Sequence, residues 1–596
     1  MITSMTKYSF ILLNGEQEGL LDRLQEIGLV DITRSAKPVD EKTTGLAAEL
    51  DLLDGLVKGL KEVEIPEGTP PQDTGDPEEL VRYAGGALMA YAERKDQLSA
   101  LRRKLEATRV WGEFDPQVVA ALDQAGVPLH FHRLSAKFFK EEWQEAYVLT
   151  VVSRGKSDIW FVVAGEDSLP GELERPAAGI RMLEEEIQAT EEKQKINLGR
   201  IAGLQARIPE LEARRAATLA ALEHCLASAA AVPAAENTIV TLVGYAPSEN
   251  DATVTRTLDE SGVFYLKEAA RAEDNPPIQL KNNWFVRQFE TLTDMYGRPE
   301  YNEFDPTPYL SIFFLLFFAM CMGDAGYGLV LIIGGILLRK VESYKNLAPL
   351  VTILGAGTFV VGIVMHTFFG VDISKLPWIP QALKSVMITG TIAGFEAQMV
   401  LALCIGVLHL SLAMVVKTVY ATRNKGFLGS LSTWGWTLLI VGGVVVAALA
   451  LAKLLPQPVV KWVVIGLGIL SALGIFLFND IHRNPLKNIG SGLWETYNTV
   501  TGLLSDVLSY LRLYALGLAG SMLGMAFNDI ASMTLGDGSF GIGWFFFVLI
   551  LVVGHALNLA MCCLGAFVHP LRLNFLEFFK NSGYMGKGRA YRPIQK

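Results

Sequence analysis

LLSDVLSYLRLYALGLAGSMLG (503–524) and GHALNLAMCCLGAFVHPLRLNFLEFF (554–579) each carry one arginine, Arg512 and Arg572, in a run otherwise apolar enough to cross a bilayer. A cationic side chain near the membrane centre costs about 2.5–3.5 kcal/mol on insertion scales. Two such residues in the last two apolar stretches point to an ion pathway or a bound counter-charge. The rest of the chain has to distinguish these.

The 596 residues are 51% hydrophobic, unevenly distributed. Residues 1–300 are rich in charge with helical patterning, whereas 305–580 hold nearly all the long apolar runs. A soluble half of one or two domains is thus followed by a polytopic membrane half. The formal net charge is −10 and basic runs are short, which argues against a nucleic-acid partner. The opening MITSMTKYSF lacks the basic-then-apolar pattern of a signal peptide, so the first half is expected in the cytoplasm. The five cysteines (Cys225, Cys321, Cys404, Cys562, Cys563) have no metal-ligand spacing with His and read as small buried hydrophobes.

In the soluble half, KYSFILL (7–13) predicts a strand and 15–27 a helix. Leu46, Leu50, Leu53, Val57 and Leu60 recur at alternating spacings of 4 and 3, a heptad-like seam. EIPEGTPPQDTGDP (64–77) must interrupt it, and a helical pattern then resumes to about 109. A second long helix is predicted from about 172 to 229, through Ile180, Leu183, Ile187, Leu204, Ile208, Leu211 and Leu219. Between the two, YVLTVVS (147–153) and DIWFVVAG (158–165) form a β-hairpin. NTIVTLVGYAP (237–247) predicts a final strand, with a helix near 249–261. A cytoplasmic coiled-coil arm follows over 1–300, with a distal α/β lobe (about 110–170) and a proximal one (about 1–35 and 232–270). The alternative is a compact helical bundle. The narrow apolar seam on each helix favours the arm.

In the membrane half, 301–596, a single span at 307–338 would put RKVESYK (339–345) outside, against the positive-inside rule. Splitting that stretch at Gly323-Asp324-Ala325-Gly326 gives two short spans joined by a hairpin, with Asp324 capping the turn. RKVESYK, KTVYATRNK (417–425), HRNPLK (482–487) and the tail GKGRAYRPIQK all become cytoplasmic, and the count becomes eight spans. At 100° per residue, Gly554, Asn558, Gly565, His569 and Arg572 fall within about 60° of one another on a helix, and Thr501, Ser505, Ser509 and Arg512 within about 80°. Each arginine heads a polar or small-residue stripe, expected where helices face water, a partner helix or an ion. The competing explanation is that the stripes only pack two helices together while the arginines snorkel. His366 and His409 read as packing or interfacial residues. Asp506 lies roughly 120° from Arg512, so no intrahelical ion pair is implied. No Walker sequence occurs and no nucleophile–base arrangement emerges, so neither a nucleotide site nor any cofactor is expected.

Five blocks in order then resemble a known family: NPPIQLKNN (275–283), FETLTDMYGRPEYNEFDPTPYL (289–310), FFAMCMGDAGYGL (317–329), SDVLSYLRLYALGLA (505–519) and GAFVHPLRLNFLEFF (565–579). They are similar to the membrane stator subunit of V-type and A-type rotary ATPases, subunit I in prokaryotes and subunit a in eukaryotes. The resemblance implies a non-catalytic stator in the cell membrane whose two long, tilted C-terminal helices face a rotating proteolipid ring (c/K). Its cytoplasmic half would contact peripheral-stalk subunits (E/G type) and the central-stalk subunit of the membrane sector. Arg512 matches the family's essential arginine in SYLRL and Arg572 the second arginine in HPLRL. Asp506, Ser505, Ser509, Glu495, Asn558, His569 and Glu577 are then half-channel candidates. The carried ion is H⁺ or Na⁺. Gly520 and Cys562 stand where eukaryotic relatives place acidic or histidine residues, which weakens the channel assignment beyond the arginines. The alternative function is a stand-alone secondary transporter with a regulatory arm, but the inverted repeat it requires is not found.

Overall fold

The computed structural model describes residues 1–594 except 14, 35–39, 67, 73–75, 77–78, 167–168, 235–237, 342–343, 378, 393, 455, 478–484 and 536–540. Parts of the interrupting segment 64–77 and of the predicted loops RKVESYK and HRNPLK therefore lie outside the described residues. The chain is mainly helical with small sheets, and it divides into two compact units. One comprises Met1–Ile11, Leu29–Asp31 and Val243–Pro593, and the other consists chiefly of Leu12–Gly28 and Ile32–Leu242.

The elements up to the membrane helices are β1 (Met5–Leu13), α1 (Gln17–Ile27), α2 (Glu41–Glu62), α3 (Leu80–Arg109), β2 (Leu129–Ser135), β3 (Leu149–Arg154), β4 (Asp158–Ala164), β5 (Glu172–Leu173), α4 (Ile180–Ala206), α5 (Ile208–Ala229), β6 (Ile239–Pro247), α6 (Asp251–Glu260) and β7 (Tyr265–Ala269). α2 starts on a reciprocal cap: Asp40 accepts from the Thr43 amide at 2.8 Å, and Thr43 accepts from the Asp40 amide at 3.1 Å. Leu53, Leu56 and Leu60 of α2 pack with Leu80 and Ala84 of α3, Ile201 and Leu204 of α4, and Leu211 of α5. Farther along, Leu101 and Leu105 meet Leu183 and Ile187, so α3 and α4 run antiparallel. The single helix expected over 172–229 is corrected in two places. It begins only at Ile180, and it breaks at Arg207, because Pro209 in the first turn of α5 cannot donate to the ladder.

The hairpin β3–β4 forms with a register shift between Val151 and Ser153. It belongs to a four-stranded sheet, β3-β4-β2-β5, whose last two strands the sequence reading did not foresee. In the other unit, β1 pairs antiparallel with β7 from Thr6–Ala269 to Phe10–Tyr265. The tail folds back beside the segment preceding the first apolar helix. The Ile278 amide donates to Arg589 O at 2.6 Å, the Tyr591 amide to Ile278 O at 3.0 Å, and the Met585 amide to Glu303 Oε1 at 2.6 Å.

Five helical stretches among the described residues are long and apolar enough to cross a membrane: Ala397–Asn424, Leu431–Leu451, Gln457–Phe476, Ile489–Met533 and Ile542–Ser582. Three shorter apolar helices precede them: α7 (Thr307–Met322), α8 (Ala325–Leu338) and α9 (Ala348–Val364). The split at Gly323 is present. Gly323 adopts φ +58° and donates its amide to Ala319 O, while the Asp324 carboxylate accepts from the Gly326 and Tyr327 amides. Asp324 also accepts from the Phe369 and Gly370 amides at 2.8 and 2.7 Å, fixing the segment after α9 to the turn. α8 and α9 approach so closely that a methyl at Gly328, Gly335, Gly355 or Gly362 would strike the other helix's backbone. The subsequent helices are α10 (Ala397–Gly429), α11 (Leu431–Leu451), α12 (Gln457–Phe476), α13 (Pro485–Ser509), α14 (Leu511–Met533) and α15 (Ile542–Arg572).

Leu204→Ala, at a fully buried position, is expected to cost about 2–5 kcal/mol locally. Hydrogen exchange of the detergent-solubilised chain should register this as lost protection in α2–α5. Leu52→Ala, at a half-exposed position, should leave the same amides protected.

Candidate functional site

The helical ladder is interrupted just before Arg512. Ser509 closes α13 and Leu511 opens α14, with a tight turn at Tyr510. The Tyr510 amide donates to Val507 O at 3.1 Å and the Leu513 amide to Tyr510 O at 3.0 Å, i→i−3 bonds that tighten the chain. Arg512 thus sits in the first turn of a new helix, half-buried, and its Nη1 is buried with no acceptor among the described residues. Cys321 of α7 and His569 of α15 lie within electrostatic reach of its guanidinium.

Arg572 ends α15 in an equally irregular place. Pro570 lies inside the helix without an amide to donate, and residues Leu573–Phe578 continue as a wider π-turn. Arg572 is exposed, whereas Leu573, Asn574, Glu577 and Phe578 face inward. Asn574 Nδ2 donates to Pro570 O at 2.9 Å, occupying a carbonyl beside the irregular turn. His569 Nδ1 and Glu577 Oε2 are buried without partners among the described residues. His569 feels both arginines, and Glu577 feels Asp506 and Arg572, with Ser509 beside it. Asp506 accepts from Asn581 Nδ2 at 2.8 Å and pairs with Lys580 at 3.5 Å.

Two pockets flank this break. One of 220 Å³ is lined by Glu495, Asn498, Asp506, Lys417, Lys580 and Asn581, among others. The other, of 450 Å³, reaches the residues just after Arg512, namely Leu513, Tyr514, Gly517 and Ser521, and is walled by His366, Asp372 and Glu396. Tyr514 donates its hydroxyl to Glu396 Oε2 at 2.6 Å, and His366 lies 3.1 Å from Asp372. Burial would raise the Asp372 carboxyl. Hydrogen bonds from the Ser374 hydroxyl and amide, with His366 and Lys375 alongside, overcome this and hold it below the usual carboxylate range.

Of the residues predicted from the sequence, Arg512, Arg572, His569, Glu577, Asp506 and Ser509 are brought into one neighbourhood, and Glu495 lines the first pocket. Ser505 is exposed, and its carbonyl accepts from Ser509 Oγ. Asn558 is placed elsewhere. It is fully buried and donates to Tyr327 OH and Gly520 O, in a knot that also holds His555 and Asn528. The aligned stripe is therefore not a single working face: Gly554 packs on Phe527 and Asn558 points inward, while Arg572 is exposed. Sequence reasoning missed Tyr514, Glu396 and Asp372, and read His366 as a packing or interfacial residue. Tyr514 was visible as the first polar residue beyond Arg512, but the other three lie at or between helix ends, where periodicity carries no signal. Among the described residues, no group of three or more His, Cys, Asp or Glu is arranged to hold a metal ion.

The chain matches the V-type ATPase 116kDa subunit family over residues 180–361 and 491–596. It is 26% identical to the V-type ATP synthase subunit I 1 of Treponema pallidum, with all of both chains covered. It is 32% identical to the A-type ATP synthase subunit I of Pyrococcus abyssi over 56% of this chain and 50% of that one. Among solved structures it is similar, at 14% identity and a TM-score of 0.21, to the cytoplasmic N-terminal domain of subunit I, homolog of subunit a, of V-ATPase. That match covers 45% of this chain and all of that one.

In a background without native thiols, Glu495→Cys and Glu396→Cys should react with a small charged thiol reagent, since both positions line pockets. Asn558→Cys, at a fully buried position, should remain unlabelled on the same timescale. Mass spectrometry of the labelled chain checks both outcomes.

Proposed function

The chain belongs to the V-type ATPase 116kDa subunit family and is a stator subunit of a rotary ATPase, and we propose that it builds two ion half-channels on either side of Arg512. The observation that carries this is a buried guanidinium nitrogen without an acceptor among the described residues, next to the break between two pockets that carry acidic side chains. A cation left unpaired in an apolar layer is costly unless a carboxylate from outside the chain visits it. A proteolipid ring whose subunits each present one ion-binding carboxylate supplies that visitor.

An opposite charge within about 4–6 Å lowers a carboxyl pKa by about 1–3 units. A ring carboxylate reaching Arg512 would give up its ion into one pocket, and would reload from the other after passing. Arg512, with Arg572 and His569 close by, repels ions that would otherwise leak straight between the pockets. Each elementary charge crossing 100 mV exchanges about 2.3 kcal/mol with the membrane potential, so several crossings couple to one ATP. On this reading Asp506, Glu495, Ser505, Ser509 and Glu577 serve the pocket lined by Lys417 and Lys580, while Tyr514, Glu396, His366 and Asp372 serve the other.

Eight spans, with 1–300 and the tail on the cytoplasmic side, agree with two observations. Three short and five long apolar helices are present among the described residues. The tail also pairs with residues 278–303, so the entry to α7 and the end of the chain share one side, which requires an even number of crossings. The stretches of 45 and 41 residues that carry the arginines exceed the roughly 20 needed to span, which suits tilted helices. The helices α2–α5 would be the coiled-coil arm that joins peripheral-stalk and central-stalk subunits. The stand-alone transporter alternative finds no support in the family match.

Arg512→Gln in the reconstituted complex should reduce ATP-driven ion uptake to background while the complex still assembles. Near-normal uptake would refute the role given to this arginine. For topology, Val386→Cys, exposed in the connection between α9 and α10, should in a thiol-free background label with an impermeant reagent only from the face opposite the arm. Labelling from the arm's face alone would overturn the eight-span arrangement.

A further inference from the structure

His409, which reads from the sequence as a packing residue, touches both arginine-bearing segments. It lies on α10, fully buried. Its Nδ1 shares a 2.8 Å hydrogen bond with the hydroxyl of Tyr510, the residue at the helix break two positions before Arg512. The same imidazole stacks flat on Phe578 at 4.6 Å and 7° between ring planes. Phe578 closes the π-turn that follows Arg572, next to Glu577. Phe313 and Phe317 of α7 enclose the histidine at 4.1 and 5.1 Å.

Tyr510 is held as tightly. It is fully buried, Phe317 meets its ring edge-on at 5.7 Å, and Gly406, three residues before His409 on α10, lies against its other side. A methyl at 406 would come within 2.5 Å of Tyr510 Cγ. In so apolar a setting a phenylalanine would pack equally well, and a hydroxyl is tolerated only because it is bonded. The bond locates the break relative to α10, and the stack locates the π-turn relative to the same helix.

We propose that His409 and Tyr510 are positioning residues that fix Arg512 relative to the Arg572 segment, so that a visiting carboxylate meets a guanidinium at a defined distance and depth. The inference rests on the stator-arginine reading above. Coulomb attraction falls with separation, so a guanidinium free to shift would bind the carboxylate less selectively and seal the path less well.

The test uses the whole ATPase reconstituted in vesicles and reads ions moved per ATP hydrolysed. This ratio is a property of each assembled complex and does not fall merely because less complex forms. Tyr510→Phe keeps the ring and removes only the hydroxyl, and His409→Gln removes the stack while retaining a hydrogen-bonding side chain. Each is expected to lower the ratio about three- to tenfold, with Tyr510→Phe/His409→Gln no worse than the poorer single variant, as for two residues sharing one interaction. If His409→Gln fails to assemble, Tyr510→Phe decides alone. A wild-type ratio in Tyr510→Phe overturns the proposal even if thermal stability falls, since that is the outcome of mere packing. Arg512→Gln serves as the reference. If it is inactive while Tyr510→Phe is normal, only the positioning role fails, and if Arg512→Gln itself pumps normally, the stator-arginine reading fails with it.

Discussion

A guanidinium among apolar helices, with a nitrogen that no group among the described residues accepts from, is the constraint to which the surrounding structure answers. Desolvating such a cation is expensive, and proteins normally respond by pairing it with a carboxylate. Here the nearby acids are engaged elsewhere or kept apart: Asp506 is held by Asn581 and Lys580, and Glu396 by Tyr514. The helix break at Tyr510, the irregular turn after Arg572 and the two pockets lie around this charge. An arginine satisfied by a permanent internal partner would have no means of acting on a moving one.

Much of the architecture was legible in the chain because it follows from local rules. The turn at Gly323-Asp324 was readable from charge parity and turn chemistry, and its geometry is as those predict. The seam of α2 and the β3–β4 hairpin came from periodicities of 3.5 and 2. The pairing of β1 with β7 was not legible, since residues 6–10 find their partners at 265–269 and nothing local encodes the match. The break at Arg207 was signalled by Pro209, but the apolar repeat continues across it and concealed the interruption.

Within the site, the residues that the helical wheel placed on one face do not share the same surroundings in the structure. Projecting at 100° per residue assumes an unbroken ladder, and the turn at Tyr510 resets the phase between Ser509 and Arg512. Asn558 and Arg572 share one helix, and what separates them is what packs against each: Asn558 is fully buried while Arg572 is exposed. Glu396, His366 and Asp372 stand at helix ends or in the connection between helices, where function depends on tertiary placement rather than pattern.

The return of the tail to residues 278–303 bears on how the protein is made. Ile278 and Glu303 precede every apolar helix described, whereas their partners Arg589 and Met585 follow all of them. The segment leading into the bundle thus waits through the insertion of every span before its hydrogen bonds close, a pairing of very high sequence separation. A chain halted within the bundle would leave that entry segment without these partners.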